Sequence, residues 1–239
     1  MRRQVRTVHP VRPSELGSRG GLAYSLWLPD DPRSGIVILH GAGSCKESHH
    51  DFARAALADG IAVIAFDQRG HGASDGPMDG RAIEDVAAIA ALLRSRVAAP
   101  DLAVALRGSS MGGYLAIVAA ATAGAKAVIA ICPASSEGLR RGLKAEGLGF
   151  DADVDALDRL LSEHDLHGSV ESLPVPLLLL HAEGDEQVPV EHSRELAGRT
   201  SNPRSRLITV RGGHHRSVQH DPELQAVSLH WLVSALDPS

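Results

Sequence analysis

The chain contains few aromatic residues and no long hydrophobic run, and each scarcity excludes a class of protein. Aromatic residues make up 3% of the 239 residues, which disfavours sugar-binding sites built on stacked rings. No segment approaches the roughly 18 apolar residues of a membrane span. The N-terminal segment is basic, but no apolar core follows it as it would in a signal peptide. The sequence therefore predicts a soluble protein that is not exported by a signal peptide, and the cytoplasm is its expected location.

Cysteine and excess positive charge are also scarce. The two cysteines, Cys45 and Cys132, lie in a polar loop and at the end of an apolar run, so neither a disulfide framework nor a zinc site is expected. No H-E-x-x-H motif or spaced His/Asp cluster predicts a metal centre, and no cofactor is expected. The net charge of −5, without a basic run, argues against nucleic acid or an anionic membrane as a partner. The oligomeric state stays open.

Short aliphatic runs alternate with longer helical patterns along most of the chain. This alternation predicts an α/β fold with a mostly parallel central sheet flanked by helices. The runs show almost no polar alternation, which is typical of strands buried on both faces. The predicted strands are "GIVILHG", "IAVIAFD", "LAVALRG", "AVIAICP", "PLLLLHA" and "SRLITV", and "GLAYSLWLP" is predicted to be an edge strand.

One segment interrupts this alternation within a predicted single domain of residues 1–239. Residues 134–173 contain no strand-like run and instead predict two short amphipathic helices. The second helix has an apolar stripe of Val154, Leu157, Leu160 and Leu161. Because the segment follows a strand end, we expect it to form a short helical cap over the edge of the sheet where α/β proteins bind ligands. The alternative is an ordinary decorated crossover.

The stretch "GSSMG", residues 108–112, places Ser110 in a G-x-S-x-G pattern between a predicted strand and a predicted helix. A tight strand-to-helix turn strains the backbone of its central residue, so the residues two before and two after it must be small. Gly108 and Gly112 satisfy this requirement. The helix N-terminus also favours negative charge developing beside Ser110. Ser110 is therefore a candidate nucleophile.

A serine nucleophile needs a histidine base that is oriented by a carboxylate. Asp185 follows the run "PLLLLHA", and His214 and His215 follow the last run, "SRLITV". The order Ser, Asp, His along the chain is the order found in α/β-hydrolases. Either histidine could serve as the base on spacing alone.

These landmarks resemble the serine esterases of the α/β-hydrolase superfamily, including small esterases, monoacylglycerol lipases and serine-aminopeptidase-like hydrolases. The resemblance covers nearly the whole chain and is specific for the superfamily, but it does not identify a substrate. It is carried by "HGAG" at 40–43, "DQRGHGAS" at 67–74, "GSSMG" at 108–112 and "HAEGDEQVP" at 181–189.

The resemblance implies an α/β-hydrolase fold and a role for each site residue. Ser110 would attack a carbonyl carbon, and Asp185 would orient the base. Aligning Gly212 with the family's G-x-x-H favours His215 over His214. The backbone N–H groups of Ala42 and Met111 would form the oxyanion hole. Four residues of "DQRGHGAS" would brace the loops and take no part in the chemistry: Asp67, Arg69, His71 and Ser74.

Other charged residues admit simpler interpretations. "HGAGSCKES" is not a phosphate-binding P-loop, because Cys45 and not glycine precedes Lys46. Arg107 lies in a run that should be buried, so we expect it to pair with a carboxylate from a neighbouring loop. Three histidines are expected on exposed helix surfaces: His49, His50 and His164.

The predicted function is a serine carboxylesterase that hydrolyses small to medium-chain esters through an acyl-enzyme. With aromatics scarce, the pockets are expected to be aliphatic, formed by Leu139, Leu143, Leu148, Phe150 and Val188. A thioesterase, a lactonase or an aminopeptidase would use the same three residues, and a non-catalytic binding protein is the remaining alternative. An aminopeptidase could hold the substrate amine with acidic cap residues, namely Glu137, Glu146, Asp151, Asp153 and Asp155. Solvated helix faces are the favoured interpretation of these acidic residues.

Overall fold

The computed structural model describes residues 10–145 and 147–236, and within them the chain forms one eight-stranded sheet with helices on both faces. The strands are β1 Glu15–Arg19, β2 Leu22–Trp27, β3 Ser34–Leu39, β4 Ile61–Phe66, β5 Val104–Ser109, β6 Ala127–Ile131, β7 Leu177–Ala182 and β8 Arg206–Val210. The helices are α1 His50–Ala58, α2 Ala82–Val97, α3 Met111–Val118, α4 Ser136–Lys144, α5 Val154–Glu163, α6 Leu166–Glu171, α7 Val190–Arg199, α8 Ser217–His220 and α9 Pro222–Leu236.

The strand order is β1-β2-β4-β3-β5-β6-β7-β8. The pairs β1/β2 and β2/β4 are antiparallel, and every later pair is parallel. The predicted mostly parallel sheet is thus confirmed. The position of β2 was predicted wrongly, because it pairs on both sides and β1 forms the edge of the sheet.

Strands β2 to β7 are buried along their whole length, and the apolar residues divide into two clusters on opposite faces of the sheet. Helices α2 and α3 contribute to one cluster, whereas α1 and α9 contribute to the other. No helix in the described part of the chain is both long and apolar enough to span a bilayer.

The segment between β6 and β7 contains three helices, α4, α5 and α6, where the sequence predicted two. Asp153 caps α5 by accepting a hydrogen bond from the N–H of Ala156, and Asp165 begins α6 in the same way. In the predicted stripe of α5, Leu157, Leu160 and Leu161 are buried, but Val154 is 46% exposed. The three leucines join the cluster that also contains α2 and α3, so the cap packs on the body of the domain.

Candidate functional site

Ser110 lies on the turn between β5 and α3 with backbone angles φ 55° and ψ −119°, a conformation that strains a residue with a side chain. A Cβ at Gly108 would lie 2.0 Å from the carbonyl oxygen of Gly112, and a Cβ at Gly112 would lie 2.3 Å from that of Leu39. Both positions therefore require glycine, for the steric reason that the G-x-S-x-G spacing implied. The turn holds the Ser110 side chain at the edge of a cavity.

Asp185 and His215 follow the adjacent parallel strands β7 and β8. The two loops run side by side, since the N–H of Gly184 donates to the carbonyl of Gly212 at 2.9 Å. A Cβ at Gly184 would lie 2.5 Å from the carbonyl oxygen of Gly213, so this close approach requires glycine. It brings His215 Nδ1 to 2.7 Å from a carboxylate oxygen of Asp185.

The surroundings of Asp185 keep its carboxylate ionised. Burial opposes ionisation, but the N–H of Val188, the hydrogen bond with His215 and the N–H of Gln187 outweigh it and lower the pKa of Asp185. A charged carboxylate fixes the proton of His215 on Nδ1 and leaves Nε2 free to accept another proton.

His214 does not contact Asp185. Its backbone N–H donates to Ser217 Oγ at 3.0 Å, its ring Nδ1 accepts from the N–H of Arg216 at 3.3 Å, and the residue is exposed. Of the two histidines that the sequence left open, the structure brings only His215 to the carboxylate.

Sequence reasoning missed His181, the last-but-one residue of β7. Its ring is fully buried, with Nδ1 2.7 Å from Ser193 Oγ and Nε2 2.9 Å from the carbonyl oxygen of Val188. Nε2 also lies 3.4 Å from Asp185. Burial lowers the pKa of His181, which favours a neutral ring that ties the acid loop to β7 and α7. The available signal was a histidine in an otherwise aliphatic strand four residues before the acid.

Cys132 also lies beside this pair, with its sulfur within 4.8 Å of the ligand atoms of Asp185 and His215. Burial raises the pKa of the Cys132 thiol to about 12, so at neutral pH it is a protonated neighbour and a poor nucleophile.

The loop that carries Ala42 approaches the nucleophile closely. A Cβ at Gly41 would lie 3.3 Å from the Cβ of Ser110. Met111 is the first residue of α3, where a backbone N–H has no partner within the helix. Both N–H groups therefore belong to backbone segments that border Ser110, and Ala42 lines the cavity.

Two histidines shape this loop. His71 Nε2 accepts a hydrogen bond from the N–H of Gly43 at 3.2 Å, while Nδ1 lies 2.9 Å from the carbonyl oxygen of Arg69. His40 is buried, and its Nε2 accepts from the N–H of Gln68 at 3.0 Å. Burial lowers the pKa of His71, and it lowers that of His40 to about 4 against an opposing hydrogen bond to Gly41. Both accepting bonds require neutral rings.

The buried His40 predicts that acid weakens the fold. Its ring titrates near pH 6.5 in the unfolded chain and near pH 4 in the folded one, so the unfolded state binds more protons between these values. The neutral ring therefore makes its full contribution to stability above pH 6.5. As pH falls to 4, the free energy of unfolding decreases by about 3 kcal/mol. Urea unfolding at pH 7.0 and 4.5 measures the loss. His40→Asn should be less stable at pH 7.0 and should show a smaller decrease, and an unchanged decrease would contradict the assignment.

The remaining residues of "DQRGHGAS" form ion pairs and hydrogen bonds that brace loops. Asp67 is fully buried and accepts hydrogen bonds from Nζ and the backbone N–H of Lys46, both at 2.7 Å, and from the N–H of Ala73. Arg69 makes a two-pronged contact with Asp85 at 2.8 and 3.0 Å. Lys46, whose sequence context does not match a P-loop, thus joins the end of the loop that follows Ala42 to Asp67.

The prediction that Arg107 pairs with a carboxylate from a neighbouring loop was wrong. Among the described residues, its guanidinium contacts no carboxylate. One nitrogen lies 3.2 Å from His49 Nδ1, another donates to the carbonyl of Gln219 at 3.2 Å, and the group lies 3.9 Å from the ring centre of Phe52. Full burial lowers the pKa of Arg107 to about 10. A cation–π contact, one carbonyl acceptor and a histidine ring nitrogen replace the predicted ion pair.

The expected exposure of three histidines was also wrong. His49 is 1% exposed because it packs beside Arg107, and the half-buried His50 packs edge-on against Trp27. His164 is half-buried, and its carbonyl accepts the hydroxyl of Tyr114.

The cavity beside Ser110 has a volume of about 650 Å³ and is more polar than the sequence suggested. Of the five predicted pocket residues, Leu139, Leu148 and Val188 line it, but Leu143 and Phe150 do not. Leu143 is buried in the cap, and Phe150 stacks on His71. The other polar lining residues are Ser44, Ser48, Ser109, Ser135, Arg141, Gln187, His192, His215, Arg216, Gln219 and His220.

Four of the five acidic cap residues do not line this cavity. None of the described lining residues is a carboxylate, and Glu137, Asp151, Asp153 and Asp155 lie elsewhere. Asp153 is the cap of α5. Glu146 lies outside the described residues.

A family model described as "Serine aminopeptidase, S33" matches residues 30–147. A monoacylglycerol lipase of Mycolicibacterium smegmatis is 27% identical, over 90% of this chain and 94% of its own length. The crystal structure of a monoacylglycerol lipase from Paleococcus ferrophilus superposes with a TM-score of 0.68 at 24% identity, covering 90% of this chain and 99% of that one.

A second solved structure has the same fold. Est1E of Butyrivibrio proteoclasticus, solved with ferulic acid, superposes with a TM-score of 0.71 at 20% identity, covering 93% of this chain and 99% of that one. The sheet order, the strained serine turn and these similarities together show that the chain has the α/β-hydrolase fold, and in sequence it is similar to hydrolases with that fold.

Proposed function

We propose that the protein is a serine carboxylesterase that hydrolyses small to medium-chain esters through an acyl-enzyme intermediate. The observation that carries the proposal is the hydrogen bond between Asp185 and His215, because the His215 side of this pair lines the same cavity as the strained Ser110. A hydroxyl and an imidazole in one cavity, with an ionised carboxylate that orients the imidazole from behind, are the parts that acyl transfer requires.

In the proposed first step, Ser110 Oγ attacks the ester carbonyl carbon and His215 Nε2 takes the hydroxyl proton. Asp185 holds Nδ1–H and stabilises the imidazolium that forms. The N–H groups of Ala42 and Met111 donate to the oxyanion. His215 then gives its proton to the departing alkoxide, which leaves as the alcohol.

In the second step, water attacks the acyl-enzyme and His215 takes a proton from it. Collapse of the intermediate returns that proton to Ser110 and releases the acid. The reaction consumes one water molecule and needs no cofactor.

The size and polarity of the cavity support a modest, water-soluble ester. A volume of about 650 Å³ lies in the ordinary range for small-molecule sites. The many serine, histidine and arginine side chains that line it would leave a long acyl chain in contact with polar groups. A substrate amine would find no carboxylate among the described lining residues, so the ester is favoured over an N-terminal peptide bond.

The proposal is tested by hydrolysis of 4-nitrophenyl esters from acetate to palmitate, with mass detection of a phosphonate adduct. We expect turnover of short and medium chains, a decline towards palmitate, and one adduct located on Ser110. An adduct without turnover would contradict the ester and point to thioesters, lactones or amides. Neither turnover nor adduct would favour a non-catalytic binding protein.

Arg141 and Arg216 predict a preference for esters with a negative charge, since both line a cavity without a described carboxylate. The matched substrates are 4-nitrophenyl hexanoate and the mono-4-nitrophenyl ester of adipic acid, which differ by a terminal carboxylate. The ratio of kcat/KM for adipate to that for hexanoate should fall about fivefold when both arginines become glutamine, as expected for exposed ion pairs.

Arg211→Gln is the control for this charge preference, because Arg211 is an exposed arginine outside the cavity lining. It removes one positive charge, half of the change in the double variant, and should leave the ratio unchanged. Added salt should lower the ratio in the wild type but have little effect on the double variant. An equal fall in Arg211→Gln would attribute the effect to net charge and contradict a local role for the two arginines.

A further inference from the structure

Two histidines and a glutamate converge where the cap meets the body of the domain. His167 lies on α6, whereas His192 and Glu195 lie on α7 at helical spacing i, i+3. One ligand atom from each side chain lies within 4.8 Å of the others, and His167 Nε2 is 3.6 Å from Glu195 Oε2. We call these three side chains the α6–α7 cluster.

One ring nitrogen of each histidine in the α6–α7 cluster is shielded and lacks a hydrogen bond. Nε2 of His167 and Nε2 of His192 are each shielded from solvent, and neither has a hydrogen-bond partner among the described residues. The separation of 3.6 Å from His167 to Glu195 is too long for a hydrogen bond. A shielded polar atom without a partner is costly, so two such ring nitrogens beside the exposed carboxylate of Glu195 indicate a missing ligand.

The donor set matches a borderline transition-metal ion. Imidazole nitrogen and carboxylate oxygen are ordinary zinc ligands, and neighbouring ligand atoms of a tetrahedral zinc site lie roughly 3.4 Å apart. The spacing of the cluster reaches this value with small side-chain movements. The carboxylate of Asp165 lies 3.9 Å from His167 Nδ1, on the side where a second carboxylate orients a ligating histidine.

We propose that the α6–α7 cluster binds one divalent transition-metal ion of the zinc class, with water in the fourth position. The ion would join α6 of the cap to α7, which follows the loop of Asp185. His192 also lines the cavity, so the bound ion would fix one wall of it. The site is separate from Ser110 and takes no part in the proposed acyl transfer.

The test is a calorimetric titration of tag-free, chelator-treated protein with zinc chloride, repeated with cobalt(II) to record its ligand-field absorption. We expect one ion per chain and a higher melting temperature with zinc. His167→Ala and His192→Ala should each weaken binding by at least about 100-fold, because even the hydrogen-bond partners of ligands contribute 10–100-fold. Glu195→Gln should weaken it by at least about tenfold.

Two further variants keep the proposal falsifiable. His230→Ala removes an exposed imidazole from α9 and should bind zinc like the wild type. His215→Asn disrupts the other cluster within metal-binding reach, Cys132, Asp185 and His215, and should also leave binding unchanged. Absence of a saturable one-to-one site, a site that survives loss of His167 and His192, or a site lost in His215→Asn would each overturn the proposal. None of these readouts depends on ester hydrolysis.

Discussion

Replacing Ser110 by alanine should lower kcat/KM for 4-nitrophenyl butyrate by about 10⁵-fold or more, the scale seen when a serine nucleophile is removed. The variant loses the only group that forms the proposed acyl-enzyme, while Asp185 and His215 keep their hydrogen bond. The residual rate would come from ester binding and the N–H groups of Ala42 and Met111. Rate measurements on purified protein, with the phosphonate adduct followed by mass, provide the check.

Folding must be separated from chemistry in this experiment. Alanine at position 110 keeps a Cβ on the strained turn, so the variant should unfold at a temperature close to that of the wild type. Ser162→Ala is the matched control, because Ser162 lies exposed on α5 and its hydroxyl donates to the carbonyl of Arg159 in the same helix. A folded Ser110→Ala variant that keeps more than a hundredth of the wild-type rate would assign the nucleophile elsewhere.

The parallel part of the sheet could be predicted because β3 to β7 are buried on both faces and are therefore mostly aliphatic, and the less buried β8 is also a short run rich in apolar residues. The edge strand β1 could not, because Glu15–Arg19 is "ELGSR", with alternating half-buried and exposed residues and one apolar side chain. β1 is held in the sheet by its antiparallel hairpin with β2. Because the sequence of β1 does not look like a strand, β2 was predicted to be the edge strand in its place.

The order of Ser110, Asp185 and His215 was visible in the sequence because each follows a different strand end. The geometry between them was not, since it depends on contacts across the chain, such as the approach of Gly184 to Gly213. Arg107 shows the same limit. Its surroundings come from His49, from Phe52 of α1 and from Gln219 of α8, which local sequence does not connect to β5.

The cavity illustrates a third limit of sequence reasoning. Leu143 and Phe150 are apolar residues of the cap and fit an aliphatic pocket by composition, yet they face other partners. The residues that replace them include Arg216, only one position from His215. The turn between His214 and Ser217 determines which side of the loop Arg216 faces. The Ser217 hydroxyl closes this turn by donating to the carbonyl of His214.

Replacing Asp185 by asparagine should lower kcat by about 10³- to 10⁴-fold with little change in KM, although the side chain keeps its size. The amide oxygen can accept from the N–H groups of Gln187 and Val188, which turns the amide NH₂ towards His215 Nδ1. His215 must then accept at Nδ1 and carry its proton on Nε2. In this tautomer Nε2 cannot take the proton from Ser110.

Asp155→Asn is the matched control for this loss, because Asp155 is an exposed carboxylate on α5 outside the cavity lining. It should leave kcat unchanged for esters, and it also removes one of the acidic cap residues that an amine-binding site would use. A folded Asp185→Asn variant with more than a tenth of the wild-type kcat would show that the carboxylate does not set the tautomer of His215. A large loss in Asp185→Asn alone would instead tie catalysis to the 2.7 Å hydrogen bond between the two loops.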